Sequence, residues 1–278
     1  MNFNNKTALI TGGSRGIGLA VAKKFAGLGV NVWILARDEK QLELARNEIQ
    51  KECVSTNQII GTLQVDISNY EELKKIVDEH LIKSGAPDFL INSAGVVQPG
   101  NFEKLDPSSF KWMMDINFLG LVYITQMVIP GMMERKSGWV VNISSLAGIV
   151  PLYGYSGYTA SKFAVRGFSD VLRSEMKSHK VNVAIVFPPD TDTDQLKYDK
   201  LYKPEVTRIL TESSGLLSPD AVAEAIISGI KKSHYIILPG LEGKVLYRLS
   251  HLGSFFTFLL DIMVSFALKK SEKNRVIH

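Results

Sequence analysis

Thr11-Gly12-Gly13-Ser14-Arg15-Gly16-Ile17-Gly18 is the stretch that decides the fold of this chain. Before it, residues 7–10 form a short apolar run that reads as a strand. After it, Ile17, Val21, Phe25 and Leu28 recur at helical spacing until Gly29 stops the pattern. A glycine loop between a strand and a helix lets the backbone turn tightly and approach a pyrophosphate, whose charge then rests at the helix N-terminus. Gly12, Ser14, Arg15, Gly16, Ile17 and Gly18 are therefore candidate cofactor-binding residues. Outward from this loop, strands are expected over 31–36, 59–65, 89–92, 139–143, 181–187 and 235–238, and helices over 38–51, 70–83, 108–135 and 157–178. Such alternation predicts the α/β class: a Rossmann-like, doubly wound parallel sheet covered on both faces. We expect a single domain over residues 1–243, with an apolar helical appendage and polar tail over 244–278.

Composition narrows the function classes. The chain has 278 residues, 45% hydrophobic and 22% charged, as in an ordinary folded protein. Its 32 basic and 28 acidic residues leave a net charge of +4, and no Lys/Arg block is interleaved with aromatics. No nucleic-acid partner is expected. The single Cys53 excludes an internal disulfide and any multi-cysteine site, so no metal site is expected and a reducing compartment is favoured. Residues 1–7 lack the basic start and apolar run of a secretory signal.

The end of the second strand selects the dinucleotide. A carboxylate there would bind a ribose 2′-hydroxyl and repel a 2′-phosphate. This chain has Ala36 and then Arg37, with Arg15 in the glycine loop. Two guanidiniums favour the extra phosphate through charge-assisted bonds, so the expected cofactor is NADPH/NADP+ and not NADH. Asp38 follows, and is expected to point away from the ribose or to cap the next helix.

Tyr158 and Lys162 stand four apart in a helical pattern and so share a face. A free tyrosine titrates near 10, and bringing it to neutrality takes roughly 4 kcal/mol. A neighbouring ammonium and an oxidised nicotinamide would both push in that direction. Ser145 could hydrogen-bond a substrate carbonyl. Tyr153 and Tyr155 are rivals to Tyr158, but neither has a lysine four residues later.

Taken together, Thr11 to Gly18, Asn92-Ser93-Ala94-Gly95, Asn117, Asn142-Ile143-Ser144-Ser145 and Tyr158-Thr159-Ala160-Ser161-Lys162 resemble the short-chain dehydrogenase/reductase family over about residues 6–240. The resemblance implies that Tyr158 donates the proton, Lys162 positions the ribose and tunes Tyr158, and Ser145 orients the carbonyl. It implies that Asn117 holds a water in a proton relay. Further cofactor contacts are implied for Asp66, Ile67, Asn92, Ala94, Gly95, Tyr158, Lys162, Pro188, Thr191 and Thr193.

After the sixth strand the family's usual Pro-Gly is replaced by Pro188-Pro189-Asp190-Thr191-Asp192-Thr193. This run is similar to that of the 3-ketodihydrosphingosine reductase subfamily, although Asp194 stands where a proline is usual. The resemblance implies NADPH-dependent reduction of a long-chain ketone lipid, 3-ketosphinganine to sphinganine. Other readings are a reductase of another hydrophobic ketone (3-oxoacyl, steroid or retinoid), or a non-catalytic NADPH-binding sensor. The sensor reading predicts decay of the Ser/Tyr/Lys/Asn set, which is intact. A homodimer through the two long helices is implied as well.

Residues 252–268 are mostly apolar. On a helix Ser250, Ser254, Thr257, Asp261, Ser265 and Lys269 form one polar stripe, with large apolar residues around the rest and Lys244, Arg248, Lys269 and Lys270 at the ends. A wide apolar face with basic flanks predicts a helix lying in a membrane interface and not across it. The expected location is cytoplasmic and peripherally membrane-associated, on the cytosolic face of the endoplasmic reticulum in a eukaryote.

Overall fold

Strands β1 (Thr7–Thr11), β2 (Asn31–Ala36), β3 (Ile60–Gln64), β4 (Phe89–Asn92), β5 (Gly138–Ile143), β6 (Val181–Val186) and β7 (Ile236–Ile237) pair in parallel, in the order β3-β2-β1-β4-β5-β6-β7. The structure is a computed structural model and describes residues 2–212 and 215–276. The central strands are apolar almost without interruption because helices cover both faces: every residue of β4 and β5 is buried. The chain builds β1, β2 and β3 to one side and then returns to place β4 on the other side of β1. A crevice therefore opens at the carboxyl ends of β1 and β4, where ligands of open α/β sheets bind.

One face carries α1 (Gly16–Ala26), α2 (Glu39–Gln50) and α9 (Pro219–Lys231), packing Val21, Phe25, Ile49 and Ile226 onto Ile10 and Ile34. The other carries α3 (Tyr70–Ser84) and α5 (Gly120–Glu134), with Leu73, Val77, Ile124 and Val128 against Leu9 and Leu90. Local signals start these helices. Asp38 accepts the Gln41 amide at 3.1 Å and Asn69 the Glu72 amide at 3.3 Å, each satisfying an otherwise orphaned donor.

The expected helix 108–135 is continuous but not uniform. It comprises α4 (Pro107–Met114), a π-helical turn over Asp115–Leu119, and α5. This run is the one helix among the described residues long and apolar enough to cross a membrane. Ile124, Val128 and Met132 nevertheless bury it in the core. Helix α6 (Ser156–Met176) completes that layer.

Three further helices occupy a stretch that the periodicity reading leaves without elements: α7 (Asp194–Tyr202), α8 (Glu205–Leu210) and α9. The appendage also differs from expectation. It is a pair, α10 (Gly240–Ser250) and α11 (Ser254–Val276), broken at Gly253 with φ +59°, so the expected boundary after residue 243 falls inside α10. Helix α11 lies on α8, burying Phe256, Ala267 and Ser271. The polar stripe is thus not the only face toward solvent: Ser254, Asp261 and Ser265 are exposed, and so are Phe255, Phe258, Ile262, Met263 and Phe266. Of the basic flanks, Lys270 is paired with Glu212 at 3.1 Å.

Candidate active site

The glycine loop joins β1 to α1 at the crevice. Thr11 Oγ1 accepts the amides of Ser93 and Ala94, both at 3.1 Å, and so ties the ends of β1 and β4 together. Gly12 has φ +65°, and a Cβ there would lie 2.8 Å from the Ala94 Cα. At Gly18 a Cβ would stand 2.3 Å from the Gly12 carbonyl oxygen, so helix and loop approach as no larger residue allows. A Cβ on Gly16 would come within 3.0 Å of Thr193 Cγ2, which places the 191–194 segment over the loop. The result is a backbone-lined cradle at a helix N-terminus, suited to a dinucleotide's pyrophosphate.

At its rim, Arg15 reaches Asp38 at 3.8 Å and Gln41 at 3.3 Å, and Arg37 reaches Asp66 at 3.5 Å. Both guanidiniums are more than half exposed, so these pairs contribute little and are readily exchanged for a phosphate. Burial alone would raise the Asp66 carboxyl. The hydrogen bonds from Ser68 and the nearby Arg37 outweigh it and hold the group below its usual range.

Tyr158 and Lys162 lie on one face of α6, and the Lys162 ammonium stands 5.6 Å from the centre of the Tyr158 ring. Lys162 is buried, donates to the Ile143 carbonyl at 3.1 Å, and lies 3.4 Å from where a Cβ on Gly95 would be. Gly95 thus keeps a path open between the β4 end and the lysine. Burial lowers Lys162 to about 8. Ser145 follows β5 on the same side, and its Oγ accepts the Ala147 amide at 3.1 Å.

The protein's own groups act on Tyr158 in the direction opposite to that expected of a bound oxidised nicotinamide. The Tyr158 phenol is pushed up to about 12, first by burial and then by the charges of Asp199 and Asp190, while hydrogen bonding toward Ser145 and Gln195 pulls the other way. In the absence of a nucleotide the surroundings favour the neutral, proton-carrying form. Tyr155 is no rival: it is buried, donates to Asp199 Oδ1 at 2.5 Å, and is driven far above the ordinary phenol range by burial and that bond.

Several predicted residues are placed differently from a direct side-chain contact. Asn92 turns inward, donating to Thr125 Oγ1 at 3.0 Å and Asn142 Oδ1 at 2.8 Å. Ile67 packs beneath Gly120. Thr191 donates to the Pro189 carbonyl at 2.9 Å, and Thr193 Oγ1 caps α7 by accepting the Leu196 amide at 3.3 Å. The Pro188 carbonyl receives the Leu146 amide at 3.0 Å. For Asn92 and Ile67 only the main chain is left to face a nucleotide. The Asn117 side chain is likewise taken up by protein groups. Its Oδ1 accepts the Val96 amide at 2.7 Å, and its Nδ2 donates to the Val96 carbonyl and to Ser161 Oγ, both at 2.9 Å. The side chain pins the segment after β4 to α6.

Sequence reasoning missed α7. This helix brings Gln195 to the Tyr158 hydroxyl, and Tyr198 donates across the crevice to Gln98 Oε1 at 2.6 Å. It also carries Asp199 and ends at Lys203. The periodicity of α7 is poor, so only its capping Thr193 signalled it.

A family model described as short chain dehydrogenase matches residues 6–201. The chain is 34% identical to a 3-dehydrosphinganine reductase of Danio rerio, over 90% of this chain and 76% of that one. It is 36% identical to a 3-ketodihydrosphingosine reductase of Mus musculus, over 87% and 73%. Among solved structures, a short-chain dehydrogenase from Sphingobium yanoikuyae in complex with NADPH superposes with a TM-score of 0.76 at 26% identity, covering 92% of this chain and 95% of that one.

Proposed function

This chain belongs to the short chain dehydrogenase family, and from that premise we propose that it is an NADPH-dependent reductase of a long-chain 3-keto sphingoid base, converting 3-ketosphinganine to sphinganine. The observation that carries the reading is the constellation of Ser145, Tyr158 and Lys162 beside the glycine cradle, in a chain more than a third identical to reductases of that name. When bound, NADPH supplies the hydride. Ser145 orients the ketone oxygen, Tyr158 delivers a proton to it, and Lys162 holds the ribose and stabilises the phenolate left behind. The phenolate then takes a proton back from Lys162, and Lys162 is recharged from solvent through a water held by the main chain of Asn117. The cofactor is held by Gly12, Ser14, Arg15, Gly16, Ile17, Gly18, Arg37, Asp66, Ala94 and Gly95, and by the 188–193 segment. The test is NADPH consumption with product analysis. Sphinganine from 3-ketosphinganine is expected, and failure on that ketone with good rates on steroids or 3-oxoacyl thioesters would overturn the substrate.

Exposed pairs to Asp38 and Asp66 leave both arginines available to a 2′-phosphate. NADPH is expected to bind at least about tenfold tighter than NADH, equivalent to about 1.4 kcal/mol, and Arg37→Ala to erode most of that difference. Titration of both cofactors by fluorescence checks this, and equal affinities in the unmutated protein contradict it.

We also propose that residues 1–243 form the catalytic domain and that 244–278 attach it to a membrane interface. Phe255, Phe258, Ile262, Met263 and Phe266 are all at least half exposed on α11, and α10 adds Leu241 and Val245. A patch of that kind is suited to lipid headgroups and acyl chains, with Lys244, Arg248 and Lys269 toward anionic lipid. A long-chain ketone must be collected from lipid, so the location serves the reaction, on the cytosolic face of the endoplasmic reticulum in a eukaryotic cell. The full chain is expected to sediment with anionic vesicles, and a truncation before residue 252 to lose that binding while still reducing a short soluble ketone. A full chain that ignores vesicles, with a truncation that unfolds, would make α11 a structural helix. Exposed Trp112 on α4 and Phe163 and Val171 on α6 support a homodimer through the two long helices, which sedimentation velocity checks.

A further inference from the structure

Beside Tyr158 lies a group of charges that the steps above do not use. Tyr155, Asp199 and Lys203 are all buried. Asp199 is saturated: its Oδ1 accepts from Tyr155 at 2.5 Å and its Oδ2 meets the Lys203 ammonium at 3.3 Å. Asp190, on the segment that leaves β6, is not. Its nearest cation is the same Lys203 at 3.7 Å, its carboxylate takes no hydrogen bond among the described residues, and its side chain is 41% exposed. Two carboxylates thus share one ammonium, leaving one uncompensated negative charge at the wall of the active site. The group borders the reacting phenol, because the ring of Tyr155, whose hydroxyl donates to Asp199, lies 6.2 Å from the ring of Tyr158.

We propose that Asp190 receives the ammonium group borne on the carbon next to the substrate's ketone, and so makes the enzyme selective for α-amino ketones. The inference rests on the reading of the substrate as a 3-keto sphingoid base. With the ketone oxygen held at the Tyr158 hydroxyl, a cation on the adjacent carbon lies within a few ångströms of that hydroxyl, where the free carboxylate charge is felt. The structure already shows how the pair treats such a group, because Lys203 places an alkylammonium between the same two aspartates. A neutral ketone would instead leave Asp190 partly desolvated with only the ammonium it shares with Asp199, and a site built to pair a group rejects analogues that lack it. The substrate's charge also assists the chemistry. Proton delivery leaves a phenolate facing two carboxylates, and an incoming ammonium offsets that repulsion at the moment it develops. Asp199 is a positioning residue in this arrangement, fastening α7 to Tyr155 and drawing Lys203 to itself at 3.3 Å, closer than to Asp190 at 3.7 Å.

The experiment compares kcat/KM of the full chain with NADPH on 3-ketosphinganine and on the analogue in which a neutral hydroxyl replaces the amino group. The unmutated enzyme is expected to prefer the amine by at least about tenfold, the scale of one partly exposed charge pair. Asp190→Asn should bring that ratio below about threefold by losing rate on the amine, and Asp190→Glu should restore part of it. A role confined to fastening α7 would lower both rates together and leave the ratio unmoved, which overturns the proposal. The ratio in the unmutated enzyme serves as a second measurement independent of whether the variants fold: equal rates on the two ketones overturn the ammonium assignment and leave the ketone reductase standing. No turnover of either ketone overturns the substrate reading, and this inference with it.

Discussion

Tyr158→Phe is expected to lower turnover of 3-ketosphinganine by two or more orders of magnitude while leaving NADPH affinity within about twofold, the signature of a lost general acid. The substitution removes one oxygen and little else. A phenylalanine ring keeps the edge-on contact to Tyr155, with centroids 6.2 Å apart, and the Lys162 ammonium above the ring. It also relieves a buried hydroxyl, so the fold has no reason to suffer. What is lost is the proton, which the surroundings hold on the phenol: with Tyr158 pushed up to about 12, the neutral form dominates throughout the physiological range. No neighbouring phenol substitutes for it, because Tyr155 already donates its hydrogen to Asp199. Single-turnover kinetics with cofactor titration separate the two quantities. A variant that kept most of its turnover would require another proton donor and would remove Tyr158 from the mechanism.

The parts of this fold that were legible in the sequence are those where local and long-range demands agree. The strands 31–36 and 89–92 were expected at the positions where β2 and β4 stand, because a strand buried on both faces is a short apolar run bounded by polar or glycine residues. The glycine loop was legible for the same reason, since the close approach of Gly18 to the Gly12 carbonyl admits one residue type. Side-chain direction was not legible. Nothing in Asn92 or Asn117 as letters says that one amide turns into a core network and the other bridges Val96 to Ser161; that depends on which strands and helices become neighbours. The charge group around Asp190 was hidden because its members come from three segments, 155, 190 and 199–203, brought together by tertiary folding alone. Helix α9 was different: Ser218 as a cap, Pro219 in the first turn and apolar residues at 222, 223, 226, 227 and 230 were all available signals.

Lys162→Met is expected to abolish most activity, by roughly a hundredfold or more, and at the same time to make the cofactor-free protein more stable at neutral pH. The second effect follows from burial. The ammonium titrates near 10.5 in an unfolded chain and at about 8 in the fold, because water is lost around it. Between those values the unfolded chain binds more protons than the folded one, so stability rises with pH across that window and the penalty is full below pH 8. A shift of that size corresponds to about 3 kcal/mol at pH 7. Methionine fills a similar volume with no charge to bury, at the loss of the bond to the Ile143 carbonyl, about 1 kcal/mol. The net gain is then about 1–3 kcal/mol, and it should vanish as the pH approaches 10. Urea melts of both proteins at pH 7 and pH 10 read it directly, and a variant less stable at pH 7, or a gain indifferent to pH, would contradict the argument. The same shift predicts that reduction by the unmutated enzyme declines as pH rises through about 8, where Lys162 loses the charge that stabilises the phenolate, far below the range in which Tyr158 itself ionises. A lysine that destabilises the fold is retained only where its charge is used, and here that use is beside the reacting hydroxyl.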